Sequence, residues 1–251
     1  MRLIGITGGI STGKTTVSNY LKEKYQLPIW DADIYARQAV EIGSPILDKI
    51  LERYGSDLVL SDGNLNRPRL GEIVFNQPEE RRWLERQIHP YVRDRFAENI
   101  RLLAEVGNRQ QATGNRGRDF KEKRAKKDFT SDFCKRSIKK LASIGNRESE
   151  AGGAMASFDG PTAVLAVPLL FEAQMTDLVT EIWVVYLGPR KQIERLMLRD
   201  GLSREQAIAR INAGMSLEEK RSRADVVLDN SSTPLALLEQ VDLAMAKKVG
   251  G

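Results

Sequence analysis

The chain has 251 residues, 41% hydrophobic and 29% charged, the proportions of an ordinary globular protein with room for one sizeable α/β domain or two small ones. One cysteine (Cys134) and one histidine (His89) exclude a disulfide framework and a cysteine-based zinc site, and they fit a reducing, cytoplasmic setting; the longest apolar run, residues 163–171, is broken by Pro168 and is too short to span a membrane. The net charge of +5 is local rather than general, because residues 107–160 carry 13 Lys or Arg against 7 Asp or Glu, a net of +6 that leaves −1 for everything else.

The first predicted element is a short buried strand, residues 3–6, starting so near Met1 that no signal peptide is expected before it. It runs into Gly8-Gly9-Ile10-Ser11-Thr12-Gly13-Lys14-Thr15, which matches the phosphate-loop pattern G-x-x-x-x-G-K-[ST] at every defined position. Val17, Tyr20 and Leu21 follow at helical spacing, so the loop sits between a strand and a helix, the context the motif requires. Glycines let the backbone curl until successive N–H groups converge on phosphate oxygens, and the helix adds its positive end. Gly8, Gly9, Ser11, Thr12, Gly13, Lys14, Thr15 and Thr16 are therefore the candidate ATP-binding residues. Lys14 would reach the β- and γ-phosphates, and the Thr15 hydroxyl would hold Mg²⁺.

A second strand over residues 27–30 ends at Asp31-Ala32-Asp33. Ligands of open parallel sheets bind beyond the carboxyl ends of the strands, which brings this acidic pair near the phosphate loop. If the strand persists, the i, i+2 spacing puts both carboxylates on one side. A kinase needs a carboxylate to take the acceptor's proton, and a helix starting near Ile34 needs a cap. Asp33 is expected to be catalytic and Asp31 structural or metal-linked.

Residues 34–106 read as helical, with Ile46, Leu47, Ile50 and Leu51, then Trp83, Leu84 and Ile88, on amphipathic faces. This is too much for a simple crossover and implies a helical subdomain over the sheet edge. Within it, His89-Pro90 reads alone as a helix-boundary packing feature. Residues 107–160 begin with Gly-Asn-Arg, carry the triplet again at 114–116 and 145–147, and place Phe120, Phe129 and Phe133 among basic residues. A nucleic-acid or partner-binding arm and a surface insertion without catalytic part are both open here, and the insertion is favoured because aromatics among lysines are weak evidence without a fold.

Three further strands are predicted at residues 162–167, 181–186 and 225–228. Alternation of strands and helices points to an α/β fold, a parallel sheet with helices on both faces. Thr233-Pro234 opens the last helix, a capping hydroxyl followed by a first-turn proline. Arg190, Arg195, Arg199, Arg204 and Arg210 recur after the fourth strand, as a lid over ATP or as a solvated face; Arg195 and Arg199 share one helix side. Pro168 to Glu172 falls at the ligand edge, where Glu172 is the charged group.

Taken together, these residues resemble the dephospho-coenzyme A kinase family. The stations run in family order: the phosphate loop after Ile6-Thr7, Asp31-Ala32-Asp33 with Ala36-Arg37, Asn66-Arg67 with Leu70 and Val74-Phe75, Trp83-Leu84 and His89-Pro90. Val167 to Glu172, Arg195 and Arg199 with Asp200, and Asp229-Asn230-Ser231 complete the string, which spans nearly everything except residues 107–160. The resemblance implies a P-loop nucleoside-triphosphate hydrolase-like three-layer sandwich: a core over 1–33 and 161–251, a helical substrate subdomain over 34–106 and a lid over about 188–222. It implies ATP- and Mg²⁺-dependent phosphorylation of the ribose 3′-hydroxyl of dephospho-coenzyme A, the last step of coenzyme A synthesis, with no membrane or nucleic-acid partner. Asp33 is then the general base with Lys14 and Arg199 as catalytic partners. Arg67, His89 and Glu172 join Asp33 in binding the acceptor, and Arg195 and Asn230 belong to the nucleotide side. Two positions depart from the family pattern: Gly214 stands where Gln is usual, and Ser232 where Gly is usual.

Overall fold

Five strands, β1 (Arg2–Gly8), β2 (Ile29–Asp31), β3 (Thr162–Ala166), β4 (Glu181–Tyr186) and β5 (Val226–Asp229), form one parallel sheet in the order β2-β3-β1-β4-β5. The structure is a computed structural model and describes residues 1–113 and 160–247. The described helices are α1 (Lys14–Lys24), α2 (Ala32–Gln38), α3 (Pro45–Tyr54), α4 (Arg67–Asn76), α5 (Pro78–Thr113), α6 (Pro189–Asp200), α7 (Arg204–Asn212), α8 (Leu217–Ser222) and α9 (Pro234–Ala246). None is long and apolar enough to cross a membrane.

The period-two alternation of a strand sorts β1 and β3 between two cores. Ile4, Ile6 and Val164 pack with Val17 and Leu21 of α1 and Leu237 and Val241 of α9. Leu3, Ala163, Leu165 and Val167 pack on the opposite face with Val92, Phe96 and Leu103 of α5. Covering both faces explains why residues 163–167 are apolar without alternation. A third core lies away from the sheet, where Ala39, Val40, Leu47, Ile50, Leu58, Leu65 and Leu70 meet Trp83 and Leu84 of α5. Ile88 packs against both the second and third cores, so α5 is the shared wall of the sheet and the outer helices.

Two sequence expectations are corrected by α5. His89-Pro90 is no helix boundary, because Pro90 lies inside α5. Proline forfeits one helix hydrogen bond, and apolar contacts on both sides of it, from Trp83 to Leu103, hold the helix together. Nor does the helix stop near Val106; it continues through Gly107 to Thr113. A Cβ at Gly107 would lie 2.7 Å from Pro161 Cγ, so this glycine permits a close approach to the start of β3. The rest of the basic segment, 114–159, lies outside the described residues, and with it Phe120, Phe129, Phe133 and Cys134.

The last helix starts as its sequence indicates, with Thr233 accepting from Ala236 N at 3.2 Å before Pro234. Phe96 is fully buried and its ring meets Tyr35 of α2 edge-on at 5.2 Å, a contact that joins the α5 core to the helix carrying Asp33. Phe96→Ala should therefore destabilise the protein by about 3–5 kcal/mol. Leu198→Ala, at an 89% exposed position, should change stability by less than about 0.5 kcal/mol. Urea unfolding monitored by circular dichroism checks both values, and equal losses would contradict this placement of the core.

Candidate active site

The phosphate loop turns sharply out of β1, and the left-handed backbone at Gly13 (φ +104°) starts α1. A Cβ there would sit 2.4 Å from Asn230 Nδ2, so both the dihedral and the close approach demand glycine. No side chain caps α1, which leaves its start open to an anion. Ser11 also has a positive φ (+59°), an uncommon conformation for a residue with a Cβ, and its hydroxyl oxygen is buried without a hydrogen-bond partner. An orphaned donor in a curled glycine loop suits a phosphate oxygen.

The loop's carbonyls are held from the other half of the chain. Gln192 of α6 donates to Ile10 O at 2.9 Å, and Asn230, beyond β5, donates to Thr12 O at 2.8 Å. Thr12 Oγ1 adds a bond to Gly9 O at 3.0 Å. Both amide residues are buried. With these carbonyls occupied, the loop is built without help from a ligand.

Lys14 curls back onto the loop, donating to Gly8 O at 3.1 Å and Gly9 O at 2.7 Å. Its pKa is lowered to about 8, first by burial and then by the charges of Lys220 and Arg199, against the pull of Asp33 and Asp31. Thr15 and Thr16 lie exposed in the first turn of α1, with the Thr15 position open to solvent and phosphate. Arg195 donates to Asn230 O at 3.4 Å, which joins these two residues at the loop's flank. Arg199 is paired with the adjacent Asp200 at 2.7 Å, and Arg210 meets the same carboxylate at 3.0 Å.

Asp31 and Asp33 do not share a strand side, because β2 ends at Asp31 and Asp33 is already helical. Asp31 caps α2, accepting from Asp33 N at 2.8 Å. Helix capping wins over strand extension here because an Asp followed by Ala and Asp supplies the acceptor that the first turn lacks. Asp33 consequently sits in the first turn of α2. It lines a cavity of about 340 Å³ with Arg37, Arg67, Leu70 and Val74, and a second of about 270 Å³ with Arg81, His89 and Pro168. Burial and the Asp31 carboxylate push the Asp33 carboxyl up from its ordinary range, while Lys14 and Arg37 pull it back.

Arg67 and His89 thus join Asp33, each in one of its two cavities. Arg67 is fixed by a bond to Arg37 O at 3.1 Å. Burial lowers the His89 pKa, with Glu85 opposing, so the ring favours its neutral form. A third cleft, about 640 Å³, separates Ile10, Pro68 and Gly71 from Leu202, Ala209 and Arg210, between α4 and α7.

Glu172 stands apart from these cavities. Its Oε1 takes Lys220 Nζ at 2.9 Å and Met215 N at 3.2 Å. Gly214 precedes that contact, with space for a Cβ only 3.4 Å from Glu172 Oε1, so this departure from the family pattern borders the ion pair rather than the phosphate loop. Two residues were not legible as site residues: Gln192 and Lys220. Gln192 carries a weak signal, since it shares a buried stripe with Leu196 at i, i+4 in an otherwise charged helix. Lys220 carries none, lying in the run Glu218-Glu219-Lys220-Arg221 that reads as a solvated face.

Comparison with known proteins agrees with this geometry. The dephospho-CoA kinase family model matches residues 2–108 and 143–235. A dephospho-CoA kinase of Trichormus variabilis is 48% identical over 244 residues, covering 97% of this chain and 96% of its own length. One from Synechocystis sp. is 45% identical over 240 residues, covering 96% of this chain and 92% of its own. Among solved structures, TT1252 from Thermus thermophilus is similar at 30% identity and a TM-score of 0.63, covering 100% of this chain and 98% of its own. A dephospho-CoA kinase from Campylobacter jejuni, 21% identical with a TM-score of 0.57 over 98% of this chain and 96% of its own, shares the fold. By its matched residues and these relatives, the chain belongs to the dephospho-CoA kinase family.

Proposed function

We propose that this protein transfers the γ-phosphoryl group of ATP to the ribose 3′-hydroxyl of dephospho-coenzyme A, giving coenzyme A and ADP, with Asp33 as general base. The observation that carries this reading is the position of Asp33. One carboxylate lines both acceptor-side cavities and lies within electrostatic reach of Lys14 in the phosphate loop.

In this mechanism the loop N–H groups and Ser11 hold the phosphates, and Lys14 leaves the Gly8 and Gly9 carbonyls to follow the transferred charge. Asp33 takes the hydroxyl proton and orients the oxygen for in-line attack; its raised pKa makes it the better proton acceptor. Arg67 and His89 position the acceptor in the two cavities. Residues 34–106 then serve as the acceptor subdomain and residues 188–222 as a lid carrying Arg195 and Arg199. Residues 107–160 read as an insertion without catalytic part, and every residue given a role here lies outside it.

The residues present fit Mg²⁺ held jointly with phosphate. Among the described residues no group of three or more His, Cys, Asp or Glu could hold a metal by itself, whereas the Thr15 hydroxyl at an uncapped helix start, with the charges of Asp31 and Asp33 felt by the adjacent Lys14, suits an ion that keeps most of its ligands from water and phosphate. When bound, Mg²⁺ would neutralise charge on the β- and γ-phosphate oxygens.

Purified protein, ATP, Mg²⁺ and dephospho-coenzyme A should yield ADP and coenzyme A, identified by mass, in preference to adenosine, nucleoside monophosphates or pantothenate. Turnover confined to another acceptor would overturn the substrate assignment. Asp33→Asn should lower kcat by at least roughly a hundredfold while leaving ATP affinity within about twofold, measured by steady-state kinetics and calorimetry. The sign of the pH dependence follows from the raised pKa. The base must be ionised, so activity falls as pH drops through the Asp33 pKa, and this acid limb lies above the ordinary aspartate value of about 3.9. Asn230→Ala strands the buried Thr12 carbonyl and should raise KM for ATP roughly tenfold with the far-ultraviolet spectrum unchanged; unaltered ATP kinetics would remove Asn230 from the loop's support.

A further inference from the structure

Gly71 stands in the interior of α4, and nothing in the fold asks for a glycine there. Its backbone is helical, and a Cβ built on it would meet nothing within 4 Å. Among the described glycines it alone combines an ordinary φ with open space on the Cβ side. Gly13 and Gly107, by contrast, are required by close approaches to Asn230 and Pro161. A glycine inside a helix weakens it relative to alanine, because the backbone loses more freedom on folding.

What the missing side chain leaves clear is a junction between two cavities. One is the 340 Å³ cavity that Asp33, Arg37 and Arg67 line; the other is the 640 Å³ cleft between α4 and α7. Among the described residues Gly71 alone lines both. The two differ in chemistry. The guanidinium groups of Arg37 and Arg67 suit an anion such as a diphosphate. The cleft is walled mainly by Ile10, Pro68, Leu202, Ala209 and Ala213. Its charged groups already have partners: Glu72 meets Arg69 at 2.8 Å, and Arg210 meets Asp200 at 3.0 Å. A volume in the range of small-molecule sites and this lining suit a neutral, partly apolar chain.

The acceptor named above is divided in the same way. Dephospho-coenzyme A has its reacting ribose and 5′-diphosphate at one end. From the diphosphate runs a neutral pantetheine arm of amides, a hydroxyl, a gem-dimethyl carbon and a thiol. We propose that Gly71 is a specificity-determining residue for this acceptor: with no side chain where the Asp33 cavity meets the cleft, it leaves a passage through which the pantetheine arm enters the space between α4 and α7. The proposal deepens the function proposed above and rests on it. A side chain at position 71 narrows the passage. Gln192 and Asn230, which support the phosphate loop, line neither cavity, so a blocked passage spares ATP.

Steady-state kinetics with ATP and dephospho-coenzyme A test this from both walls of the cleft. Gly71→Leu should raise KM for dephospho-coenzyme A on the order of tenfold, with KM for ATP within about twofold of wild type. Ala209→Trp fills the cleft from α7 without entering the Asp33 cavity, which Ala209 does not line. It should give a rise of the same order. Gly71→Ala should raise KM for dephospho-coenzyme A by no more than about threefold. The same substitution should raise the melting temperature by roughly 1–4 °C, a gain in stability at the expense of function. Should Gly71→Leu fail to fold, Gly71→Ala and Ala209→Trp carry the test.

A wild-type KM for dephospho-coenzyme A in Gly71→Leu overturns the proposal. A rise in Gly71→Leu with none in Ala209→Trp also overturns it, because the arm would then not occupy the cleft. So does a parallel rise in KM for ATP, which would place the damage in the phosphate loop. A melting temperature that falls in Gly71→Ala would show that the fold itself needs the glycine, and overturns it too. Wild-type protein that leaves dephospho-coenzyme A unphosphorylated overturns the function proposed above, a failure read before any variant is compared.

Discussion

Everything at this site depends on a curled backbone whose carbonyls are satisfied from behind. A phosphate loop must turn its N–H groups toward the ligand, which leaves the opposing carbonyls to be paired within the protein. Gln192 takes Ile10 O, Asn230 takes Thr12 O, and Thr12 takes Gly9 O. The first two partners come from α6 and from the turn after β5, both far along the chain from the loop. The parallel sheet makes this meeting possible: β1 lies between β3 and β4, β5 lies beyond β4, and all their carboxyl ends open on the same side. The glycine at position 13 is the counterpart of this arrangement, because Asn230 approaches so closely that no Cβ fits.

Charge is distributed around that loop with opposite aims on its two sides. On one side Lys14 is half-buried and Lys220 buried, and the Lys14 pKa is lowered first by burial and then by the Lys220 charge. On the other side burial raises the Asp33 carboxyl, and Asp31 reinforces the effect while serving as the cap of α2. The two groups temper one another across the gap, since Asp33 raises Lys14 and Lys14 lowers Asp33. Phosphoryl transfer to a hydroxyl needs a proton acceptor and an electropositive cradle, the roles the proposed function gives to Asp33 and to the loop.

Much of this was legible in the sequence, for identifiable reasons. All five strands were readable as short apolar runs, most clearly β3, which is buried along its whole length, and the observed ends differ by at most two residues. The phosphate loop was readable because its glycines and lysine are fixed in spacing. Asp33 followed from its place at the end of a strand, Arg67 and His89 from the family resemblance, and the structure has Asp33 line one cavity with Arg67 and another with His89. Less legible was anything decided by tertiary contact. Whether the strand persists through Asp33 was left open by the sequence; capping by Asp31, the structural role expected of it, ends the strand and makes Asp33 helical. His89-Pro90 looked like a boundary, but packing on both sides carried α5 through. Gln192 and Lys220 are polar residues in charged helices, and only the fold shows that each is buried against a backbone carbonyl.

The central claim is that the phosphate loop is built by the protein before nucleotide binds. Backbone amide relaxation of residues 8–15 in the unliganded protein tests it most directly. The account predicts order parameters of about 0.85 through the loop, equal to those of β1 and α1, with no change of regime when nucleotide is added. Values below about 0.6 in the free protein, rising only with nucleotide, would show that the ligand rather than Gln192 and Asn230 organises the loop, and would contradict the account.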